Sequence, residues 1–180
     1  MLGAFDYRWA IVVDSVENGV TGTATRDFTE LMDMEPGTAL GVSDWYQVNQ
    51  EDINTFATLT KDEDPFHIDP EWARENSPLG TTISFGFLTL SMLTYFSYQV
   101  FGRAGFAAAE DTQLFNFGFN RIRLPEPVPA GSEIRGNFTF AGARLRENGG
   151  VEFTTDVIIE IKGNERPALV AQWLGVAVRK

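Results

Sequence analysis

The sequence predicts an α+β fold in which a curved antiparallel sheet wraps one long central helix. One long helical segment is apolar on almost every face, and four later runs alternate apolar with polar residues at period two. A helix that is apolar all round is expected to be surrounded by protein, and an antiparallel sheet with one apolar face must cover something. The helix and the sheet are therefore predicted to pack on each other.

The predicted helices occupy the middle of the chain. Asn49 is a suitable N-cap, and the residues after it place Ile53 and Phe56 on one face of an amphipathic helix. Two prolines and four acidic residues within 62–70 predict a loop. The predicted helical segments are residues 50–60, 71–76 and 83–102, of which the last is the central helix.

The predicted strands are one short segment and four long ones. They cover residues 44–48, 114–124, 134–140, 151–161 and 170–178. Turns rich in proline and glycine separate the long runs, so the four long strands are expected to form an antiparallel meander. Pro36 and Gly37 mark a boundary. Residues 1–37 are interpreted as an N-terminal extension that packs on the domain, and residues 38–180 as the domain.

Composition excludes several classes of protein. The chain has 180 residues, 43% of them apolar, and a net charge of -11. This charge argues against a general nucleic-acid binder and against docking on anionic lipid, because both need a basic surface. The chain has no cysteine and one histidine, which excludes disulfides, thiol nucleophiles, cysteine-ligated metals and any site that needs two imidazoles.

Targeting signals are not apparent. The first ten residues include Asp6 and Arg8 and lack an apolar core followed by a small-residue cleavage site, so no signal peptide is predicted. The most apolar stretch, residues 83–100, is broken by hydroxyl side chains and suits a buried helix better than a membrane span. A cytoplasmic protein with no membrane partner is expected.

The predicted loop around the single histidine is the main candidate site. Asp62, Asp64 and His67 lie within six residues, and a carboxylate beside an imidazole can act as an acid–base pair. The alternative is a polar loop in which Asp64 starts a turn and His67 caps a helix or lies on the surface. The residue types and their spacing leave both interpretations open.

Gly86, near the start of the central helix, is the second candidate. A glycine there lets a ligand approach unpaired backbone N–H groups at the positive end of the helix dipole, which suits an oxyanion such as a thioester enolate. The alternative is that Gly86 only permits close packing between the helix and the sheet.

Three segments together resemble a known family. Residues 56–70 read FATLTKDEDPFHIDP, residues 83–91 read ISFGFLTLS, and residues 120–131 read NRIRLPEPVPAG. They resemble the MaoC-like, (R)-specific enoyl-CoA hydratases, in which a phenylalanine–alanine pair precedes Asp-x-Asn-Pro-x-His-x-Asp. The resemblance covers about residues 38–180 and is nearest to the bacterial subgroup of nodulation protein N. It implies the hot-dog fold, in which a curved sheet wraps one helix.

The resemblance also implies an activity. Asp62 and His67 would be the catalytic pair, and Gly86 would offer the oxyanion-hole N–H. The reaction would be the reversible syn addition of water to a trans-2-enoyl-CoA, which gives a (3R)-hydroxyacyl-CoA. It implies no cofactor apart from the coenzyme A of the substrate. Because the sheet has open edges and one copy makes an incomplete site, a homodimer is expected.

Two departures from the family pattern and two further residues complete the candidates. Asp64 replaces the family asparagine, and Phe85 replaces a family histidine. Thr94 is a candidate to orient Asp62, unless its hydroxyl bonds the helix backbone. Arg123 is a candidate to bind coenzyme A phosphate, unless it lies on a solvated strand face. The two departures favour as one alternative a non-catalytic acyl-CoA-binding protein, and the expected fold also allows a hot-dog acyl-CoA thioesterase.

Overall fold

A six-stranded antiparallel sheet packs against one long helix. The computed structural model describes residues 26–106, 112–147 and 149–179, and within them the α+β prediction is confirmed. In chain order the elements are a 3₁₀ helix (Phe28–Asp33), β1 (Ala39–Val42), β2 (Tyr46–Gln47), α1 (Gln50–Thr60), α2 (Pro65–Ile68), α3 (Pro70–Asn76), α4 (Gly86–Arg103), β3 (Thr112–Arg123), β4 (Glu133–Leu145), β5 (Val151–Ile161) and β6 (Leu169–Arg179).

The strand order differs from the predicted meander. The sheet runs β1-β4-β5-β6-β3, and β2 also pairs with β4. The hairpins β4–β5 and β5–β6 are confirmed, but β3 pairs with β6 instead of β4. The reason is that the free edge of β4 is occupied by β1 and β2. The long strand β3 therefore forms the opposite edge of the sheet.

The helix boundaries follow local capping and pairing. The prediction for α1 is confirmed, whereas the predicted loop contains the single turn α2 because Asp64 caps it and Pro65 occupies its first position. The central helix α4 begins at Gly86, three residues later than predicted. The preceding residues are held elsewhere: Ile83 bridges Pro129, and Ser84 N donates to a carbonyl 2.7 Å away.

The core lies between α4 and the sheet. Phe96 and Val100 of α4 are buried against Phe138 and other apolar side chains of the strands. Gly136 of β4 is the point of closest approach, since a Cβ built there would lie 3.0 Å from the Cβ of Phe96. The described residues leave the other side of α4 exposed, so they surround the helix only in part: Phe87 is 73% exposed.

The division into an extension and a domain stays a prediction. Residues 1–25 lie outside the described residues. Of the predicted extension, Phe28 and Leu31 are buried in the core of the domain. Among the described helices, none combines the length and the apolar character that crossing a membrane requires.

We predict that Gly136→Ala destabilises the fold by about 1–3 kcal/mol, as overpacking of a core does. The new methyl group would meet the Cβ of Phe96, which is fixed to the helix backbone and cannot swing aside. Denaturant unfolding measures the change. The matched control is Gly102→Ala on the exposed side of α4, where a Cβ meets nothing within 4 Å and where the change should be neutral or stabilise by about 0.4–1 kcal/mol. Equal effects of the two substitutions would contradict the prediction.

Candidate active site

The short helix α2 carries the single histidine and turns it towards the start of α4. The backbone N–H of His67 donates to the Asp64 carbonyl at 2.9 Å, which fixes the turn. The imidazole Nδ1 lies 2.8 Å from the carbonyl oxygen of Ile83. Because a carbonyl only accepts, Nδ1 carries the proton in this bond, and the other ring nitrogen, Nε2, is left to act as a base or an acid.

Phe85 supports the same ring from one face. Its centroid lies 3.8 Å from that of His67 with 30° between the ring planes, and Phe56 of α1 packs on Phe85 at 5.2 Å. Phe85 is buried and is the N-cap of α4. The aromatic residue that replaces the family histidine therefore orients His67 by stacking, and it links the imidazole directly to the start of the helix.

Asp64 is the N-cap of α2. Its Oδ1 accepts from the Phe66 N–H at 2.9 Å, and its backbone carbonyl accepts the first N–H groups of the turn. An N-cap needs only an acceptor, so a carboxylate serves here as well as an asparagine does. The departure at Asp64 is thus explained by its local role. Asp69 repeats the arrangement at the start of α3, where it accepts from Glu71 and Trp72 N–H groups.

Asp62 lies on the turn between α1 and α2. The chain leaves α1 through Lys61, whose φ of 64° is left-handed, and Asp62 follows as an exposed residue. Within the described residues, no hydrogen bond or ion pair joins Asp62 to His67 or to any other group. Its carboxylate is therefore available for a ligand or for solvent.

The start of α4 presents unpaired backbone donors. Phe85 gives this helix no side-chain cap, so the N–H groups of the first turn, beginning at Gly86, have no acceptor within the helix. A Cβ built at Gly86 would lie 2.6 Å from Cδ1 of Leu124, a half-exposed residue just after β3. The close contact considered from the sequence is therefore present at Gly86, and its role as an oxyanion donor stays a prediction.

Thr94 and Arg123 are the two remaining candidates from the sequence. Thr94 is half-buried two turns beyond Gly86, and no hydrogen bond links its hydroxyl to Asp62 in the described part of the chain. Arg123 is exposed, and its Nη1 donates to the Ile122 carbonyl at 2.8 Å. It directly precedes Leu124, so its guanidinium group is carried at the same end of the molecule as Gly86.

Sequence analysis missed the residues that hold the start of α1 against α2. Asp52 forms a capping box with Asn49 and also accepts from the Tyr46 hydroxyl at 3.1 Å. Burial, followed by the bond to Asp52 and its charge, raises the pKa of Tyr46. The next residue after Asn49 is Gln50, whose amide nitrogen lies 2.7 Å from the His67 carbonyl oxygen. A spacing of 17 residues between these partners leaves no local sequence signal.

The arrangement places an imidazole beside the start of a helix. His67 keeps its Nδ1 proton on Ile83 and stacks on the residue that precedes Gly86. A base beside helix N–H donors can take a proton from a nucleophile while the donors stabilise the negative charge that develops on a carbonyl oxygen. Such chemistry suits addition to, or elimination from, a carbonyl compound.

We predict that neutral His67 exists as the Nδ1–H tautomer. The carbonyl of Ile83 can accept only if Nδ1 is the protonated nitrogen. A ¹⁵N-resolved NMR spectrum of the imidazole at alkaline pH measures the tautomer. Because the chain has one histidine, its ring signals need no assignment by mutagenesis. The denatured chain is the control for an unrestrained ring. Finding the Nε2–H tautomer in the folded protein would disprove the hydrogen bond.

Comparison with known proteins identifies relatives over most of the chain. The sequence profile of the MaoC like domain matches residues 32–161. The 3-hydroxyacyl-thioester dehydratase Z of Mycobacterium tuberculosis is 37% identical over 149 residues, which are 82% of this chain and 95% of that protein. Nodulation protein N of Rhizobium meliloti is 38% identical over 141 residues, 78% of this chain and 85% of that protein.

Solved structures agree with the fold. An (R)-hydratase from A. caviae involved in PHA biosynthesis superimposes with a TM-score of 0.61 at 18% identity, covering 79% of this chain and 96% of that one. The HadBC complex of Mycobacterium tuberculosis, a 3R-hydroxyacyl-ACP dehydratase, gives a TM-score of 0.61 at 14% identity over 80% of this chain and 98% of that one. The hot-dog fold expected from the sequence is confirmed, and the chain belongs to the MaoC-like domain family.

Proposed function

We propose that this protein is an (R)-specific enoyl-CoA hydratase, which adds water reversibly and in syn fashion to a trans-2-enoyl-CoA to give a (3R)-hydroxyacyl-CoA. The protein is a hydro-lyase, in keeping with relatives that are named dehydratases. The observation that carries the proposal is the contact between His67 and Phe85, which brings the imidazole beside the first amide donors of α4.

The proposed reaction uses one water molecule between Asp62 and His67. In the hydration direction the water oxygen bonds to C3 of the enoyl thioester, one water proton passes to the Asp62/His67 pair, and the pair returns a proton to C2. Negative charge gathers on the thioester oxygen between these steps, where the Gly86 N–H stabilises it. Since one solvent position supplies both groups, they arrive on the same face, and the pair ends in its starting protonation state.

The residues around the pair support this assignment of roles. The Nδ1–H bond to Ile83 leaves Nε2 of His67 as the proton carrier. Asp62 forms no competing bond among the described residues, which keeps its carboxylate free to bind water. Thr94 stays a candidate to orient Asp62 in the complex with substrate.

The substrate in this proposal is an acyl thioester of coenzyme A. Arg123, exposed at the end of β3, is the candidate for a coenzyme A phosphate, since a guanidinium group binds phosphate through paired hydrogen bonds. The reaction is a proton transfer coupled to water addition, so it calls for no redox cofactor, and coenzyme A enters with the substrate. A cytoplasmic location, expected from the sequence, and a role in fatty-acid metabolism belong to the same proposal.

We predict that Asp62→Asn and His67→Ala each lower kcat for hydration of crotonyl-CoA by about 10²–10⁴-fold, the usual contribution of an acid–base group. Loss of the conjugated enoyl absorbance measures the reaction. The matched control is Glu63→Gln, which changes an exposed carboxylate in the same turn and should retain wild-type kcat. Circular dichroism checks that each variant is folded.

Four outcomes would overturn this assignment. Wild-type protein that does not consume crotonyl-CoA, or variants as active as wild type, would exclude the Asp62/His67 mechanism. Release of free thiol from acyl-CoA would indicate a thioesterase instead. Calorimetric binding of acyl-CoA without turnover would indicate a non-catalytic binding protein.

A second copy of the chain is part of the proposed enzyme. Strand β3 is an edge of the sheet, hydrogen-bonded on one side to β6, and it exposes Phe115 and Phe117. The uncovered side of α4 exposes Phe87, Tyr95 and Tyr98. A long apolar edge and an aromatic surface of this kind are usually covered in a stable protein, and pairing of two identical edges covers both at once.

We predict that the protein sediments at twice its chain mass of 20.0 kDa at micromolar concentration. Phe115→Lys should shift it towards the monomer, because a lysine on an edge strand opposes edge pairing. Leu59→Lys is the control, since Leu59 is 78% exposed on α1, away from that edge. A wild-type mass of 20.0 kDa, or equal effects of the two lysines, would refute the dimer.

A further inference from the structure

The turn that carries His67 has little packing of its own. Helix α2 has four residues, none of which is buried. Helix α1, by contrast, places Ile53 and Ala57 in the core. Hydrogen bonds therefore help to hold α2 in position, together with the packing of Ile68 on the core and of His67 on Phe85.

One side chain supplies the main link between these two helices. The Nε2 of Gln50, at the start of α1, donates to the His67 carbonyl at 2.7 Å and to Asn54 Oδ1 at 2.9 Å. Its Oε1 accepts from the hydroxyl of Thr82, a residue that is 1% exposed, at 2.5 Å. Both amide protons and the amide oxygen are thus used. The orientation of the amide is determined as well, because the His67 carbonyl requires a donor.

These hydrogen bonds connect both the backbone and the imidazole of His67 to the segment that precedes α4. Gln50 ties the backbone of His67 to Thr82, and the next residue, Ile83, accepts from the imidazole Nδ1. The backbone and the ring of His67 are therefore attached to two consecutive residues of one segment. A side chain held at two points has little freedom to tilt.

We propose that Gln50 is a positioning residue, which sets the orientation of the His67 imidazole through the His67 backbone carbonyl and Thr82. Without Gln50, the remaining direct contacts of α2 with that segment are the Phe66 carbonyl to Ile83 N–H bond at 3.3 Å, the imidazole bond itself and the stacking of the imidazole on Phe85. The imidazole would then restrain the turn instead of being oriented by it. The geometric part of this proposal stands on the hydrogen bonds, and its effect on turnover rests on the proposed hydratase activity.

Two substitutions at Gln50 test the proposal. Gln50→Met keeps the length and helix preference but removes all three hydrogen bonds of the amide. Gln50→Glu keeps the acceptor for Thr82 and suits the first turn of a helix, yet sets an oxygen against the His67 carbonyl. Asn54→Ala removes the third partner alone and is the matched control. Ile53→Val, in the buried face of α1, is the control for a general loss of stability.

Each variant is measured by the imidazole ¹⁵N spectrum and by steady-state kinetics with crotonyl-CoA. Gln50→Met and Gln50→Glu should convert the single Nδ1–H imidazole signal into an averaged or broadened one. They should lower kcat by about 10–100-fold, the scale of an ångström-sized misplacement, with KM changed by less than about threefold. Asn54→Ala and Ile53→Val should leave the spectrum and kcat near wild type.

The two readouts separate this proposal from the hydratase assignment. Wild-type spectra and kcat in both Gln50 variants would overturn the positioning role, as would an equal loss of kcat in Ile53→Val. A changed imidazole spectrum in a protein that shows no hydration would support the positioning role and refute the hydratase assignment. An unchanged spectrum with a lowered kcat would show that Gln50 acts by another route and would also overturn the proposal.

Discussion

The hydrogen bond between the imidazole of His67 and the Ile83 carbonyl is the constraint on which the candidate site depends. It selects the protonated ring nitrogen, and it joins a turn with no buried residue to the segment that leads into α4. Phe85 stacks on the imidazole and ends this segment, directly before the first helical residue, Gly86. This one contact thus fixes the position of the His67 imidazole relative to the first amides of α4, and the rest of the fold holds the contact in place.

The two departures from the family pattern have different physical explanations. Asp64 performs a task that needs an acceptor alone, the capping of α2. Phe85 replaces a polar side chain by a ring that packs on His67 and on Phe56. Neither substitution removes a group from the Asp62/His67 pair. The non-catalytic alternative that the departures favoured at the level of sequence therefore gains no support from the geometry.

Elements with local signals could be predicted from the sequence, and those that depend on distant partners could not. The capping residue and the apolar face of α1 predicted its exact limits, and the alternating runs predicted the four long strands. The place of β3 beside β6 depends on which edge of β4 is already filled, which no local pattern records. The start of α4 was predicted too early because Ile83 and Ser84 pair with residues of a later turn.

The same distinction applies to the site. Residue types and spacing made His67 and Gly86 candidates but left the plainer interpretations open, and the family resemblance supplied their expected roles. The bonds of Gln50 to His67 and to Thr82 span 17 and 32 residues, so they become visible only in the folded chain.

The contact between Gly86 and Leu124 has a consequence for how position 86 is interpreted in any mutational study. With no side chain at position 86, the backbone amide has no Cβ beside it, and Leu124 packs with its Cδ1 2.6 Å from where a Cβ would be. Any larger residue alters both at once. A double substitution that also truncates Leu124 makes room for the new side chain. It separates the effect on the Gly86 amide from the effect on the packing of Leu124.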